Sequence, residues 1–337
     1  MIYRLTFLAL FILGSLTEAA LAQEKKLERL IIANAVISEN RVPLWIAKDM
    51  GLFEKHGLDV HVVFIRGAGL TVAALLGGDV HMAFAAGLPA VTAAARGAPL
   101  VILATLGPTE YQLVAQPAIA STAQLKGKTI GVANFGAGDY FVLRRLLPKL
   151  GLAQDKDVSV IPVGATQSYE KLKILLAGKI DATLSTTESV ARFKLEGNRL
   201  SVLADTAKDG IDVSGTDIFT TRQFVKSSPQ RVKGFFRAFS EAIAMGMKDK
   251  ALVQRMVRKY MKVEDQKTLD VMVRYEYLLG PGAHKPYPLE KALDLDIQDQ
   301  SGTVPELKGR KAAEFIDTSP LREIEKEGFF PSKLELR

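Results

Sequence analysis

Cysteine is absent from the 337 residues of the sequence. Disulfide bonds, a thiolate nucleophile and a lipid anchor on an N-terminal cysteine are therefore not expected. Histidine is scarce: His56, His61, His81 and His284 form neither an H-x-x-x-H pair nor a carboxylate-flanked metal motif. A Gly-x-Ser-x-Gly motif is also missing. The sequence predicts no catalytic residue, no metal site and no cofactor.

Long apolar runs are missing beyond the N-terminus. There, Arg4 precedes a mostly apolar stretch over residues 5–16, and Ala20-Leu21-Ala22 has the small-x-small pattern that signal peptidase cleaves. The stretch is about a dozen residues long, whereas a membrane-spanning helix needs roughly 20. An uncleaved membrane anchor is the alternative. We expect residues 1–22 to be a cleaved signal peptide and the mature protein to be periplasmic, without a membrane anchor.

Basic residues outnumber acidic ones, and the formal net charge is +7. Such an excess can indicate a nucleic-acid partner. The basic residues are dispersed, however: Lys25, Lys26 and Arg29 alternate with Glu24 and Glu28. We therefore expect a basic surface and no nucleic-acid binding.

Strand and helix patterns alternate twice along the chain, over residues 30–106 and again over residues 129–195. This spacing predicts parallel strands joined by right-handed crossover helices. Residues 74–83 align without a gap on residues 174–183. The match has two possible origins, a duplication or a sequence pattern that helix-glycine-strand units have in common. Either origin predicts two α/β lobes of similar build. From residue 229 onward the pattern is helical, and we expect this segment to pack on the first lobe.

Ligands of open α/β sheets bind beyond the carboxyl ends of the strands, where helix N-termini present unpaired N–H groups. Several loops of this sequence follow a strand and precede a helix, so they offer such hydrogen bonds. The candidate ligand-binding residues are Ser38, Asn40, Trp45, Arg66, Gly67, Ala86, Gly87, Asn134, Phe135, Gly136, Ala137, Gly138, Thr186, Thr187 and Asp217.

Side chains in and near these loops allow different interpretations. Arg66 could clamp a carboxylate or sulfonate, or it could be a solvated surface arginine. Trp45 could stack on a ligand or pack in the core. Phe135 lies in a loop beside glycines and has few neighbours to pack against, so we expect it to line the cleft. Asp139 stands at a helix start, where its carboxylate would repel an anion. The Gly-x-Gly before it is only half of a dinucleotide-binding motif, because the third glycine is missing.

Motifs of a known family occur in order along the chain. They lie at residues 42–60, 73–80, 94–99, 125–132 and 228–232. Together they resemble the NMT1/THI5-like, SsuA-like family of sulfonate, nitrate and thiamine-precursor binding proteins of ABC importers. The resemblance extends over roughly residues 30–245. The family commonly has an acidic residue where this chain has His81, and its members often have a hydroxyl in the loop at residues 135–138.

The resemblance implies an α/β, type II periplasmic binding protein fold. Two doubly wound lobes would be joined by two hinge strands, with the ligand cleft between the lobes. The implied hinge strands are Tyr111–Ala115 and Asp217–Thr221. Lobe II would comprise residues 110–221, and lobe I would comprise residues 23–109 together with residues 222–337, which include a helical C-terminal tail.

The resemblance also implies a function. The protein would be a monomer that binds a small organic solute, sulfonate, carboxylate or pyrimidine-like, and delivers it to the transmembrane subunits of an ABC permease. Two alternatives stay open. One is an enzyme on the same fold, similar to thiamine-pyrimidine synthases or desulfinases, and the other is a ligand-sensing subunit for a membrane receptor.

Overall fold

A computed structural model describes residues 26–107, 109–135, 137–165, 167–211, 215–273 and 285–330. The expected signal peptide at residues 1–22 lies outside the described residues, as do Gly136 and His284. Within these ranges, no helix combines the length and the apolar character that a membrane crossing needs.

The strands of the described chain are short, and most are buried on both faces. In chain order they are β1 Glu28–Asn34, β2 Leu58–Phe64, β3 Met82–Ala85, β4 Leu100–Thr105, β5 Tyr111–Ala115, β6 Lys128–Val132, β7 Val158–Pro162, β8 Ala182–Thr186, β9 Ser201–Asp205 and β10 Asp217–Thr221.

Helices cover both sheets and make up most of the C-terminal third. They are α1 Val42–Asp49, α2 Leu52–Lys55, α3 Ala68–Gly77, α4 Leu88–Ala95, α5 Gly138–Lys149, α6 Ser168–Leu176, α7 Thr187–Leu195, α8 Arg222–Ser227, α9 Pro229–Lys248, α10 Lys250–Met261, α11 Gln266–Met272, α12 Glu290–Gln300 and α13 Ser319–Lys326.

The strands form two sheets with the same topology. The first has the order β2-β1-β3-β10-β4 and the second the order β7-β6-β8-β5-β9. In each, three strands pair in parallel, as the alternating pattern predicted. The fourth position of each sheet is taken by an antiparallel strand, β10 in the first and β5 in the second. The two α/β lobes of similar build are therefore confirmed.

The chain passes between the sheets twice, once between β4 and β5 and once between β9 and β10. The crossings lie side by side: the Leu106 N–H donates to the Thr216 carbonyl oxygen at 2.8 Å. A Cβ on Gly215 would lie 2.0 Å from the carbonyl oxygen of Gly107, so this approach needs glycine. The two sheets are therefore connected by two neighbouring crossings.

The segments expected to be hinge strands, Tyr111–Ala115 and Asp217–Thr221, lie within the sheets, directly after the two crossings. Residues 217–221 form β10 of the first sheet, although the sequence had assigned them to the end of lobe II. The reason is that β10 inserts between β3 and β4 after the chain has crossed back. The lobe boundary on this side thus precedes residue 217.

The C-terminal helices complete the core of the first lobe. Phe235 and Phe239 on the apolar face of α9 pack against Phe84, with ring centroids 5.9 and 5.8 Å apart. Leu321 and Ile324 of α13 are fully buried in the same core. The segment after residue 229 thus packs on the first lobe, as its apolar stripe indicated.

The same segment also contacts the second lobe, which the sequence did not indicate. Helix α11 packs on α7. In addition, the Arg145 guanidinium of α5 forms ion pairs with Asp296 and Asp299 of α12. The C-terminal helices therefore connect both lobes beside the cleft.

Candidate functional site

A cavity of about 310 Å³ lies between the two lobes and is lined by residues of both. Its walls are the loops after β1, β3, β6 and β8, the two crossings, and the methionines Met261 and Met272 of the C-terminal helices. Most of the predicted candidates meet here. Those that line the cavity are Ser38, Asn40, Gly67, Ala86, Asn134, Ala137, Gly138 and Thr186.

Trp45 does not face the cavity. Its ring is 5% exposed and stacks on the Tyr260 ring of α10, with centroids 4.8 Å apart and an angle of 7° between the planes. This packing belongs to the core of the first lobe. The prediction of a ligand contact for Trp45 is therefore corrected, because a helix of the C-terminal segment covers this side of α1.

Gly87 and Asp217 lie beneath the cavity wall and support it. The Thr105 hydroxyl donates to Asp217 Oδ1 at 2.6 Å, and the Asp217 side chain is 1% exposed. A Cβ on Gly87 would lie 2.2 Å from Asp217 Oδ2. Neither residue lines the cavity, so their role here is to pack β3, β4 and β10 closely behind it.

Arg66, Phe135 and Thr187 also stand away from the cavity lining. Arg66 is exposed, in line with the solvated interpretation. Phe135 is 50% exposed and packs edge-on against Tyr140 at 5.1 Å, so it has another partner. Thr187 begins α7, and its buried hydroxyl has no hydrogen-bond partner among the described residues. Gly136, the remaining candidate, lies outside the described residues.

Arg41 is a cavity residue that the sequence analysis missed. Its side chain is 1% exposed, and Nε donates to Asn34 Oδ1 at 2.6 Å. Nη1 donates to Asn40 Oδ1 at 2.6 Å and to Thr216 Oγ1 at 3.0 Å. Burial lowers the pKa of Arg41 to about 9, and the charge of Glu39 opposes this. Arg41 thus connects the loop after β1 to the second crossing through hydrogen bonds to neutral partners. The sequence analysis missed it because arginine is mostly exposed in proteins, and nothing in the loop sequence indicates that this one is buried.

Asp139 and Lys171 form a buried ion pair at the wall of the second lobe. Lys171 Nζ donates to Asp139 Oδ2 and to the Leu184 carbonyl oxygen. The Ala133 N–H donates to the same Oδ2 at 2.9 Å. The side chains are 5% and 2% exposed. The expected repulsion of an anion by Asp139 is therefore offset, because α6 supplies a cation that the sequence order does not place beside it.

The other oxygen of this carboxylate, Asp139 Oδ1, is buried and has no hydrogen-bond partner among the described residues. The Tyr111 hydroxyl is 3.9 Å from the point where a Cβ on Gly138, the residue before Asp139, would stand. Burial, and then the charges of Asp139 and Glu188, raise the pKa of Tyr111. The phenol therefore stays protonated and can donate a hydrogen bond into the cavity.

Two further carboxylates face the cavity from opposite lobes. Glu39 lies in the short 3₁₀ turn before α1, and Glu188 lies in the first turn of α7. Burial raises the pKa of Glu39. Burial, and then repulsion from Glu39 and Glu110, raise the pKa of Glu188 to about 7. The charges of Arg41 and Arg192 oppose the rise in the Glu39 pKa, so the cleft holds carboxylates of both lobes together with cations.

Arg192 and Tyr169 close the far side of the second lobe. The guanidinium carbon of Arg192 lies 4.1 Å from the centroid of the Tyr169 ring, and Nε donates to Glu196 Oε1 at 3.2 Å. Such stacking fixes the planar guanidinium over the ring. In the described part of the chain, no group of three histidine, aspartate or glutamate side chains could hold a metal ion.

The sequence of this chain is similar to those of named bacterial proteins. A Brucella abortus protein, provisionally named as a binding protein, is 35% identical over 137 residues, which are 40% of this chain. The match spans 42% of that relative's own length, so the chain matches less than half of it.

Solved structures share the fold at low sequence identity. The alkanesulfonate-binding protein SsuA from Xanthomonas axonopodis, bound to MOPS, is 20% identical with a TM-score of 0.63, over 88% of this chain and 96% of that chain. The periplasmic nitrate-binding protein NrtA from Synechocystis is 16% identical with a TM-score of 0.67, over 91% of this chain and 92% of that chain. At these identities the likeness shows the type II periplasmic binding protein fold.

The sequence itself matches a family profile over most of the two lobes. The profile is described as NMT1/THI5 like, and it covers residues 38–251. This range begins at the first cavity loop and includes both crossings and every strand except β1. The chain belongs to the NMT1/THI5-like family.

Proposed function

We propose that this protein is a periplasmic solute-binding protein, which captures a small organic solute between its lobes and delivers it to an ABC import permease. The observation that carries the proposal is the cavity of about 310 Å³, to which both lobes contribute polar side chains and backbone donors. A solute that touches both walls favours the closed arrangement by its contacts with each lobe. The adjacent crossings allow that closure.

The cavity chemistry suits a solute held by hydrogen bonds. Asn134 and Ser189 of the second lobe face Ser38 and Asn40 of the first. The N-terminus of α5 at Gly138 adds backbone N–H groups to this wall. Sulfonate, carboxylate and pyrimidine-like solutes are the classes that the family resemblance offers, and each would present oxygen or nitrogen atoms to such groups.

Native mass spectrometry of the protein purified from its own periplasm tests the proposal. We expect a noncovalent solute that leaves under denaturing conditions, and compaction on rebinding by small-angle scattering. The mature chain should begin at Gln23, and the protein should elute as a monomer. Steady conversion of the bound solute to a product would replace this proposal with the enzyme on the same fold.

The permease partner can be tested separately. In cells, we expect the protein to be retained with the transmembrane subunits of an importer after mild crosslinking, and its deletion to abolish uptake of the solute. Retention with a membrane receptor, with uptake unchanged, would instead identify a sensing subunit.

A further inference from the structure

Arg41 is a buried cation of the cavity wall that has no carboxylate partner. Its three hydrogen bonds go to the amide oxygens of Asn34 and Asn40 and to the Thr216 hydroxyl, all of them neutral. Glu39, two positions earlier, opposes the fall that burial causes in the pKa of Arg41. However, no ion pair joins Arg41 to a carboxylate of the described residues. A buried charge without a counter-ion is unfavourable.

The Arg41 guanidinium also has unused hydrogen-bond donors. A guanidinium has five N–H groups. The bonds of Arg41 use the one on Nε and the two on Nη1. Nη2 donates to none of the described residues, and protein atoms do not fully enclose it. Because Arg41 lines the cavity, the two N–H groups of Nη2 are open to a molecule that binds there.

The other cations of the cavity wall already have anionic partners. Lys171 forms its ion pair with Asp139, and Arg192 pairs with Glu196. A solute anion at either of these cations would have to compete with a carboxylate of the protein. At Arg41 it would supply the charge that the protein does not.

Two carboxyl groups of the same cavity, Glu39 and Glu188, bear on the binding of an anion. Burial raises the pKa of both, and that of Glu188 rises to about 7. The shift favours the protonated carboxyl, which donates a hydrogen bond and does not repel an anion. Both glutamates are therefore compatible with a negatively charged group beside Arg41.

Apolar side chains line the cavity together with Arg41. Met261 and Met272 of the C-terminal helices contribute to its wall, as does Leu106 of the first crossing. Methionine is flexible and polarisable, so it packs well against apolar and aromatic groups of varied shape. The cavity thus combines one cation that lacks a counter-ion with a surface suited to an apolar group.

On the basis of the proposed solute-binding function, we infer that the solute is an amphipathic organic anion, whose carboxylate or sulfonate binds Arg41 Nη2 and whose apolar body packs on Met261 and Met272. Charge-assisted hydrogen bonds to Nη2 give the buried guanidinium its counter-ion. A neutral solute would leave that charge uncompensated, and a small inorganic anion would leave the methionines uncovered. Arg41 and the two methionines are then the residues that determine specificity.

Native mass spectrometry of the protein from its own periplasm tests the inference on the natural solute. We expect a carboxylate or sulfonate with an apolar body. Arg199→Gln, which removes an exposed arginine outside the cavity, should retain it. Arg41→Gln should lose it, because the lost charge-assisted bonds weaken binding by about 10- to 100-fold. Circular dichroism melts check that both variants are folded.

Matched probes test the two parts of the solute without relying on an Arg41 variant. Benzoate, benzamide and benzamidine share one shape and differ in charge, benzenesulfonate compares the two anionic groups, and acetate lacks the apolar body. By calorimetry on the full mature chain, we expect benzoate or benzenesulfonate to bind about 10-fold or more tightly than the other three. Met261→Ala should reduce the preference for benzoate over acetate by about 3-fold or more.

The outcomes separate the inference from the proposed function. A neutral or cationic natural solute, an anion retained by folded Arg41→Gln, a preference for benzamide or benzamidine, or equal binding of benzoate and acetate overturns the inference and leaves solute binding intact. If Arg41→Gln does not fold, the charge of the natural solute and the preference among the probes decide. If no solute copurifies and no probe binds, the proposed function fails together with the inference.

Discussion

His81 in the first lobe and Asp181 in the second occupy equivalent places and accept equivalent hydrogen bonds. His81 Nδ1 accepts the Ile31 N–H at 2.9 Å, and Asp181 Oδ2 accepts the Thr129 N–H at 2.8 Å. The main-chain N–H of each returns a bond to the carbonyl oxygen of the same residue of β1 or β6. The ring nitrogen of His81 thus accepts the hydrogen bond that a carboxylate oxygen accepts in the second lobe. In this contact, His81 takes the place of the acidic residue that the family commonly has at this position.

The hydrogen bond from the Ile31 N–H to His81 Nδ1 should depend on pH. Nδ1 can accept only while it is unprotonated, and burial, followed by the charges of Arg231 and Arg29, lowers the pKa of His81. A histidine in the unfolded chain has a pKa of about 6.5. The folded state therefore binds fewer protons, and its stability falls as the pH drops below about 6.5 towards the folded pKa.

We expect His81→Asp to keep the contact and to flatten this part of the pH profile, whereas His81→Ala should cost about 1–3 kcal/mol at pH 8 because the Ile31 N–H loses its acceptor. Urea unfolding at pH 8, 6 and 5 measures both. Parallel pH profiles for the unchanged protein and His81→Asp would contradict this account.

Gly87 should tolerate no side chain. Its φ of −76° suits any residue, but a Cβ would lie 2.2 Å from Asp217 Oδ2, and Asp217 is held by Thr105. We expect Gly87→Ala to destabilise the protein by about 1–3 kcal/mol through overpacking. Gly69→Ala is the control: it lies in α3 with nothing within 4 Å of its added Cβ. It should be neutral or stabilising by up to about 1 kcal/mol. Equal urea midpoints for the two variants would refute the steric argument.

The Asp139–Lys171 pair should show strong coupling. Lys171→Met would leave a buried carboxylate without its cation, at a cost of about 3–5 kcal/mol. Asp139→Asn in the same chain removes the charge and should recover much of that loss. A double-mutant cycle by denaturant unfolding measures the coupling. Additive effects of the two substitutions would show that the ion pair does not hold this wall together.

The sequence predicted the architecture well because the features that specify it are local. Apolar strands, the glycines after α3 and α6, and the helix stripe of α9 each impose a conformation on their own segment. Gly78 and Gly178, for example, adopt φ values of 81° and 69° at matching helix ends. The loops after the strands could also be located from local sequence features. Asn134 and Thr186 of these loops line the cavity as expected.

The charged part of the site depends on contacts between distant segments, and the sequence did not reveal it. Lys171 meets Asp139 from another helix, Arg41 reaches Thr216 across the two crossings, and Glu188 faces a residue of the other lobe. Trp45 was misassigned because Tyr260, far along the chain, covers it. Glu188 had one signal in the sequence, which is its position in the first turn of a helix that follows a strand.

Arg145 should help to hold the two lobes in their present arrangement. Its guanidinium joins α5 of the second lobe to Asp296 and Asp299 of α12, which packs beside the first-lobe helix α4. Burial raises the pKa of Asp296 to about 6 although Arg145 opposes this. We expect Arg145→Gln to increase the radius of gyration of the solute-free protein in small-angle scattering, because the lobes lose this contact. Arg144→Gln, one position earlier on α5, removes the same charge without touching the pair and should leave the scattering unchanged. Identical scattering curves for both variants would mean that the ion pair stabilises the C-terminal helices and does not control lobe closure.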